Sequence, residues 1–312
     1  GYLADHETAE AIPHELVAVN RDGTERRIPG DALPMSHPRL SEDGKRITVN
    51  VQTAARTRSV AMIDAVTGAR TRLTADDSGS NAVWTRDGRR VVFGRKVGSA
   101  VRIVSRAWDR SSADVVLLHD STHNLTGIEV GVLHGYAVLP GGGLNLGRAL
   151  YVAPMDSLGA MRRFGEEGDR NVAPSVSADG RLLAWTSLGS GPEEVYVQAI
   201  QGPSARVQVS VGGGTEPLWS RTGSTLFYRG PLRVMVADID GASLKVVRRD
   251  SLFTDSFQES RGDRGWDVFP GGKEFLMLRL PKGTGSGVYL VMNWPQMVAM
   301  KVGASAPGAR TP

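Results

Sequence analysis

The segment His119-Asp120-Ser121-Thr122-His123 holds two histidines four residues apart with a carboxylate between them, the spacing of a zinc-protease helix. On a helix those positions share one face, so both imidazoles reach one ion while a Glu acts as base. Here Asp stands where that Glu is needed, and Ser, Thr and Asn surround the segment between two strand-like runs. The reading is therefore loop histidines and no metal. Three glycine groups, Gly141 to Gly143, Gly212 to Gly214 and Gly283-Thr284-Gly285-Ser286-Gly287, have the look of phosphate loops. They lack the Walker Lys-Ser/Thr pair and a helix N-terminus to hold a phosphate, so they read as connecting loops. No Gly-x-Ser-x-Gly elbow and no kinase phrase occurs, which leaves the chain without a serine-hydrolase nucleophile. The absence of cysteine removes disulfides, thiolate catalysis and cysteine zinc sites.

What must position any remaining chemistry is a repeat. HPRLSEDGKRITV at 37–49 returns as NAVWTRDGRRVVF at 81–93, APSVSADGRLLAW at 173–185, PLWSRTGSTLFY at 217–228 and WDVFPGGKEFLM at 266–277. The turn glycines Gly44, Gly88, Gly180, Gly223 and Gly272 are separated by 44, 92, 43 and 49 residues. The double step predicts a degenerate copy in GIEVGVLHGYAVLP at 127–140, around Gly135. A period of roughly 40 to 50 residues built of strands and turns is that of β-propeller blades. The expected fold is all-β: a six-bladed β-propeller of four-stranded antiparallel blades, with seven blades as the alternative if residues 1–28 form a partial blade.

Each copy reads as the inner hairpin of a blade. A short strand ends in Ser or Thr, then comes a variable residue and Asp-Gly, as in Ser41-Glu42-Asp43-Gly44, Thr85-Arg86-Asp87-Gly88 and Ser177-Ala178-Asp179-Gly180. Asp-Gly between apolar strands predicts a type I′ turn with positive φ at both central residues. Runs such as Val91-Val92-Phe93 and Leu182 to Trp185 suit a strand buried on both faces. Third strands are expected at 60–64, 101–104, 150–153, 195–198, 234–238 and 288–292, followed by charged outer strands such as Arg70 to Thr74. Leu40, Trp84, Val176, Trp219 and Val268 fall at one repeat position and should form a ring of inter-blade packing. No long amphipathic helix appears, which sets aside Rossmann and hydrolase folds.

Thirty-seven basic and 33 acidic residues leave a net charge of +4, with the arginines dispersed along the chain. Nucleic-acid binding calls for a concentrated basic face with aromatics in it, so no nucleic acid is expected. No run of 18 apolar residues exists to span a membrane, and the first ten residues have neither the charged nor the apolar region of a signal peptide. The expected domain is a single propeller over 1–300, with the Gly, Ala and Pro tail 301–312 disordered. At the starts of the inner strands stand His37, Asn81, Asn171, Glu216 and Asp263. These are the candidate ligand-binding residues of the channel mouth; no catalytic residue, metal or cofactor is assigned. A hard cation held by His37, Glu216 and Asp263 is the competing reading, and it requires the three to converge.

These phrases resemble the propeller repeats of the TolB family: Pro, any residue, Trp or Phe, Ser, Pro, Asp, Gly, a basic residue and an apolar run. The order of the non-repeating phrases is similar to the C-terminal propeller of bacterial eukaryotic-like serine/threonine kinases. Its cues are Leu16 to Gly23, Ser36 to Ser41, Gly214 to Arg221, Leu226 to Arg229, Lys273 to Met277 and Val291 to Trp294. Departures are His134-Gly135, Thr222-Gly223 and Gly271-Gly272 where the pattern has Asp-Gly. The resemblance implies a non-enzymatic sensor or docking domain, monomeric within a longer protein and extracytoplasmic, with the cytoplasm left open. It binds an unidentified protein or small molecule at the channel, and N-terminal strands close its ring against the last repeat. A free-standing periplasmic TolB-like docking protein, a metal-dependent propeller hydrolase and the propeller gate of a peptidase are the alternatives.

Overall fold

A computed structural model describes residues 12–281 apart from 53–56, 75–78, 124, 126–128, 132–135, 142–148, 167, 190, 203–204 and 261–262. Its strands form six four-stranded antiparallel sheets, the blades of a six-bladed propeller. Blade 1 holds β3 (Met35–Leu40), β4 (Arg46–Gln52), β5 (Arg58–Asp64) and β6 (Arg70–Arg72). Blade 2 holds β7 (Gly79–Trp84), β8 (Arg90–Val97), β9 (Ala100–Ala107) and β10 (Val115–Asp120). In blade 3, β11 (Glu129–Gly131) and β12 (Tyr136–Gly141) precede β13 (Ala149–Pro154) and β14 (Arg162–Phe164). Blade 4 runs through β15 (Asn171–Val176), β16 (Leu182–Ser187), β17 (Glu194–Ala199) and β18 (Val207–Gln208). Blade 5 runs through β19 (Thr215–Trp219), β20 (Thr225–Arg229), β21 (Arg233–Asp240) and β22 (Lys245–Thr254).

Blade 6 is made from both parts of the chain. β23 (Asp267–Val268) and β24 (Glu274–Arg279) supply its inner half, while β1 (Glu15–Asn20) and β2 (Glu25–Arg27) supply its outer half. β1 pairs with β24 from Glu15 opposite Arg279 to Asn20 opposite Glu274. The third place in this blade, which the repeat phrase assigns to 288–292, is thus taken by β1. Residues 288–292 themselves, like 1–11, Gly135, 142–143, 283–287 and 301–312, lie outside the described residues.

The core is divided by seam. Leu40 packs with Leu276 and Leu278 between blades 6 and 1. Trp84 packs with Val60 and Met62 between blades 1 and 2, and Trp219 with Val195 and Val197 between blades 4 and 5. Val268 joins Phe227 and Val236 between blades 5 and 6, and Val176 borders the cluster of Leu150, Phe164 and Trp185. One repeat position therefore supplies a packing residue to five of the six seams, because a blade buries its two faces only against neighbours.

The turns differ from the expected type I′. Gly44, Gly88 and Gly180 have φ of 68°, 62° and 72°, while none of Asp43, Asp87 and Asp179 is among the residues at positive φ. The amide of Gly44 donates to the Ser41 carbonyl, and the chain closes where the Ser41 amide donates to Arg46. This is a four-residue loop built on a turn with only its glycine left-handed. The aspartate serves a different purpose: the Ser41 hydroxyl donates to Asp43 Oδ1 at 2.6 Å and the Lys45 amide at 3.0 Å. The same bonds recur at Asp87 and Asp179.

Candidate functional site

Four inner strands are interrupted at the same place. Pairing slips between Ser36 and Arg39, Ser80 and Val83, Val172 and Ser175, and Thr215 and Leu218, so two residues oppose one on the neighbouring strand. The first residue of each bulge is left-handed without being glycine: His37 at φ 56°, Asn81 at 55°, Ala173 at 48° and Glu216 at 50°. Such conformations cost on the order of 1–3 kcal/mol each and persist only where the surroundings enforce them. Proline follows in three of the four, as Pro38, Pro174 and Pro217. A bulge tolerates proline because the extra residue leaves the ladder and needs no N–H partner.

The bulge settles where the sequence candidates lie. His37, Asn81 and Glu216 occupy equivalent bulge positions, but in blade 4 that place belongs to Ala173. Asn171 sits two residues earlier, 1% exposed, and its Oδ1 has no hydrogen-bond partner among the described residues. Asn81 is used between blades: its Oδ1 accepts from Asn50 Nδ2 and its amide donates to Asn50 Oδ1, both at 2.8 Å.

Glu216 meets the segment 255–266, which joins blade 5 to blade 6 and itself carries Asp263, so Asp263 lies in this connection and not at the start of an inner strand. Glu216, 2% exposed, accepts from the amides of Ser260 at 2.6 Å and Gly265 at 2.7 Å, while Trp266 Nε1 donates to its carbonyl. Arg229, wholly buried, lies 3.7 Å from Glu216 and 3.1 Å from Asp255, and donates to the Gln258 carbonyl. Burial drives the Glu216 carboxyl up to about 7 against the pull of Arg229 and the two amides, and burial likewise raises Asp255. Asp263 Oδ2 is 2.9 Å from His37 Nδ1, and Arg39 lies 3.6 Å away. Burial pushes the Asp263 carboxyl up, but His37, its hydrogen bond and Arg39 outweigh it and hold the group far below the usual carboxylate range.

This segment therefore ties three blades together at the end of the channel where the inner strands begin. Arg264 donates to the Pro174 carbonyl of blade 4, and Arg39 of blade 1 donates to the Arg264 carbonyl. His37 and Asp263 are brought together and Glu216 is near Asp263, but Asn81 is engaged with Asn50 and Asn171 stands apart on β15. Among the described residues no group of three His, Asp or Glu is arranged to hold a metal ion. The histidine pair of the opening segment is also apart in function. His119 accepts from Arg102 on exposed β10, whereas His123 Nδ1 lies 2.7 Å from Asp120 in the turn that follows.

Beyond this plug, toward the Asp-Gly turns, lies a cavity of about 150 Å³ lined from blades 1, 2, 4, 5 and 6. Its walls include the repeat position Arg39, Val83, Ser175, Leu218 and Asp267, together with Arg86, Arg221 and Arg264. Two of these residues stitch the ring: Ser175 Oγ accepts the Trp219 amide at 3.1 Å, and Asp267 Oδ2 accepts the Leu40 amide at 2.7 Å. Arg221 donates to the Leu40 and Val268 carbonyls and to Glu42. Sequence reasoning passed over Arg39, Arg221, Arg264 and Asp267. The signal was present one residue before the inter-blade ring, where Arg39 and Asp267 stand, but strict alternation along the strand hides it because the bulge reverses the parity.

No protein family and no curated protein sequence matches the chain. Solved structures do match in fold. The putative TolB of Agrobacterium tumefaciens superposes with a TM-score of 0.63 at 18% identity, over 86% of this chain and 98% of that one. In fold, the chain is similar to the TolB propellers. TolB of Acinetobacter baumannii gives 0.57 at 17% identity over 81% of this chain, which spans 65% of that protein's length. A chain of a nidogen–laminin complex gives 0.54 at 15% identity, over 76% and 92% of the two chains.

Proposed function

We propose that this chain is a non-catalytic docking propeller that takes the end of a partner protein, or a small anionic ligand, into the channel cavity from the side of the Asp-Gly turns. The observation that carries this reading is the one-sided channel. Its far end is occupied by the segment 255–266, held by Glu216, His37 and Arg39. The near cavity presents Arg39, Arg86, Arg221 and Arg264 against Glu42 and Asp267. Guanidinium groups fixed by backbone carbonyls are suited to carboxylate or phosphate oxygens. The carboxylates and imidazole that a hydrolase would need are engaged with amides, arginines and one another.

The finer reading, supported by the phrase order of the sequence alone, is the extracytoplasmic part of a bacterial serine/threonine kinase; a free-standing periplasmic docking protein is the second. The coding sequence upstream of Gly1 separates them, since the first needs a kinase domain followed by a membrane span. Docking is tested by a photo-crosslinking residue placed at Arg86 or Ala178, beside the cavity, and at Asp109 on the rim. A defined partner trapped from the first two positions and not the third supports the reading. Hydrolysis of lactone, phosphoester or peptide substrates by the purified chain, with or without added divalent metal, overturns it.

A further inference from the structure

Away from the channel, blade 2 combines two features that no other blade holds together. Gly79 to Asp120 contains eight basic and four acidic residues, leaving 29 of each sign in the rest of the chain. Blade 2 thus carries a net charge of +4, and Met35 to Arg72 of the adjoining blade 1, with seven basic and three acidic residues, carries +4 as well. The second feature is its edge. The outer strands of blades 1, 3 and 6 read RTR, RRF and ERR, that of blade 5 carries Arg248, Arg249 and Asp250, and that of blade 4 is uncharged but only two residues long, VQ. β10 reads VVLLHD, with no charge in its first four residues, and Val115 and Val116 are 49% and 53% exposed. Edge strands are ordinarily protected by charge, because their outward amides and carbonyls accept another strand.

The two features share a face. Arg95 is paired opposite Arg102, and Val104 stands between Val116 and Phe93, so Arg95, Arg102, Arg106 and Val116 look toward blade 1. There the short β6 leaves a groove of about 380 Å³ lined by Arg95, Arg106, Arg110 and Leu73, with Asp114 its one carboxylate. Arg106 grips Asp114 through two bonds of 2.7 and 2.5 Å, and Arg110, at φ 60°, donates to the Arg72 carbonyl at 2.6 Å. The bond from Arg106, followed by the charges of Arg106, Arg95 and Arg90, outweighs burial and holds Asp114 below the usual carboxylate range. The slip at Leu117 turns that residue and Leu118 toward the blade 3 seam, which leaves Val115 and Val116 as the apolar part of the free edge.

We propose that the outer edge of blade 2 docks an extended acidic segment of a partner protein, added as a further strand beside β10. In that arrangement its carboxylates enter the arginine groove past Val116, and its apolar side chains cover Val115 on the other face. Strand addition draws affinity from main-chain bonds and selectivity from alternate side chains, and an alternating acidic and apolar segment presents carboxylates to the arginine face and apolar side chains to the opposite face, where Val115 stands opposite Ser105.

The test is fluorescence anisotropy of the full chain with a labelled peptide alternating Glu and Val, a block peptide of equal composition, and single-stranded DNA of equal charge. The alternating peptide should bind about tenfold or more tightly than either control, as charge order and not charge alone sets selectivity. Arg95→Ala and Val115→Ser should each weaken it several-fold while the melting temperature stays unchanged. N-methylation of the peptide along one edge should abolish binding, and along the other edge should leave it intact. Equal binding of the block peptide or of DNA would reduce the surface to a plain basic patch and overturn the proposal, as would indifference to both methylation patterns.

Discussion

Arg229 and Arg95 are the same residue type on second strands of their blades, and they live under opposite rules. Arg229 is wholly buried between Glu216 and Asp255 at the start of the channel, where each group is placed by another. Arg95 belongs to the half-open rim of blade 2, beside exposed Arg102 and Arg110. Taking charge from water is costly, so a buried set holds together only with its partners in place, and removing one exposes the whole desolvation cost. At the rim, water and salt screen each charge and stability scarcely depends on it. The inner charges fix how segment 255–266 sits against blades 1, 4 and 5; the outer ones line a surface open to solvent.

The strongest way to break this contrast is Arg229→Ala, expected to destabilise by about 3–5 kcal/mol through the two carboxylates left behind. Chemical denaturation measures it, and a loss no larger than at the rim would erase the distinction. Trp219→Ala is expected to cost a similar ~3–5 kcal/mol by a cavity alone, which shows what the inner ring is worth without charge. The acid dependence comes next. Folding raises Glu216 from 4.5 to about 7, so between those values the native chain holds a proton that the unfolded chain has lost. Its contribution is complete below pH 4.5 and lost as pH rises through 7, a change of about 3 kcal/mol. Denaturation midpoints in Glu216→Gln should lack that slope; an identical pH profile in both proteins would place the ionised form in the folded state.

Gly88→Val adds backbone strain where nothing lies within 4 Å of a new Cβ, and should cost about 1–3 kcal/mol. Gly44→Val should cost more, since its Cβ would lie 2.9 Å from Pro270 Cδ. Equal melting temperatures for Gly88→Val and wild type would refute the strain. The smallest effect sharpens the other side of the contrast: Arg102→Ala on the rim should stay within about 0.5 kcal/mol of wild type.

The repeat phrase made the blade count and the inter-blade ring legible, because Leu40, Trp84, Val176, Trp219 and Val268 must each fill a seam. It was less informative on polar residues. Ser-x-Asp-Gly was readable as a turn, but its Asp works through hydrogen bonds from Ser41 and Lys45 rather than through its own φ. His37, Asn81 and Glu216 were found by counting from the turn, and the same counting chose Asn171 over Ala173. A small apolar side chain at a left-handed position carries no compositional signal, since the bulge is defined by pairing with another strand. The arginines of the cavity were hidden for the same reason. The concentration of charge in blade 2 was countable from the outset, but its meaning required knowing that Arg95, Arg102, Arg106 and Val116 share one face.

The pairing of β1 with β24 also dictates a timetable. Leu16, Val17 and Val19 emerge before the other described strands of the propeller, and their partners Leu278, Met277 and Phe275 emerge more than two hundred residues later. At about 5–20 residues per second the hairpin of β1 and β2 waits on the order of ten seconds or more with an apolar face unfilled. The nascent propeller is therefore most in need of a chaperone at its first hairpin. Ring closure is the last event of folding, and a stall anywhere downstream leaves the same sticky strand exposed.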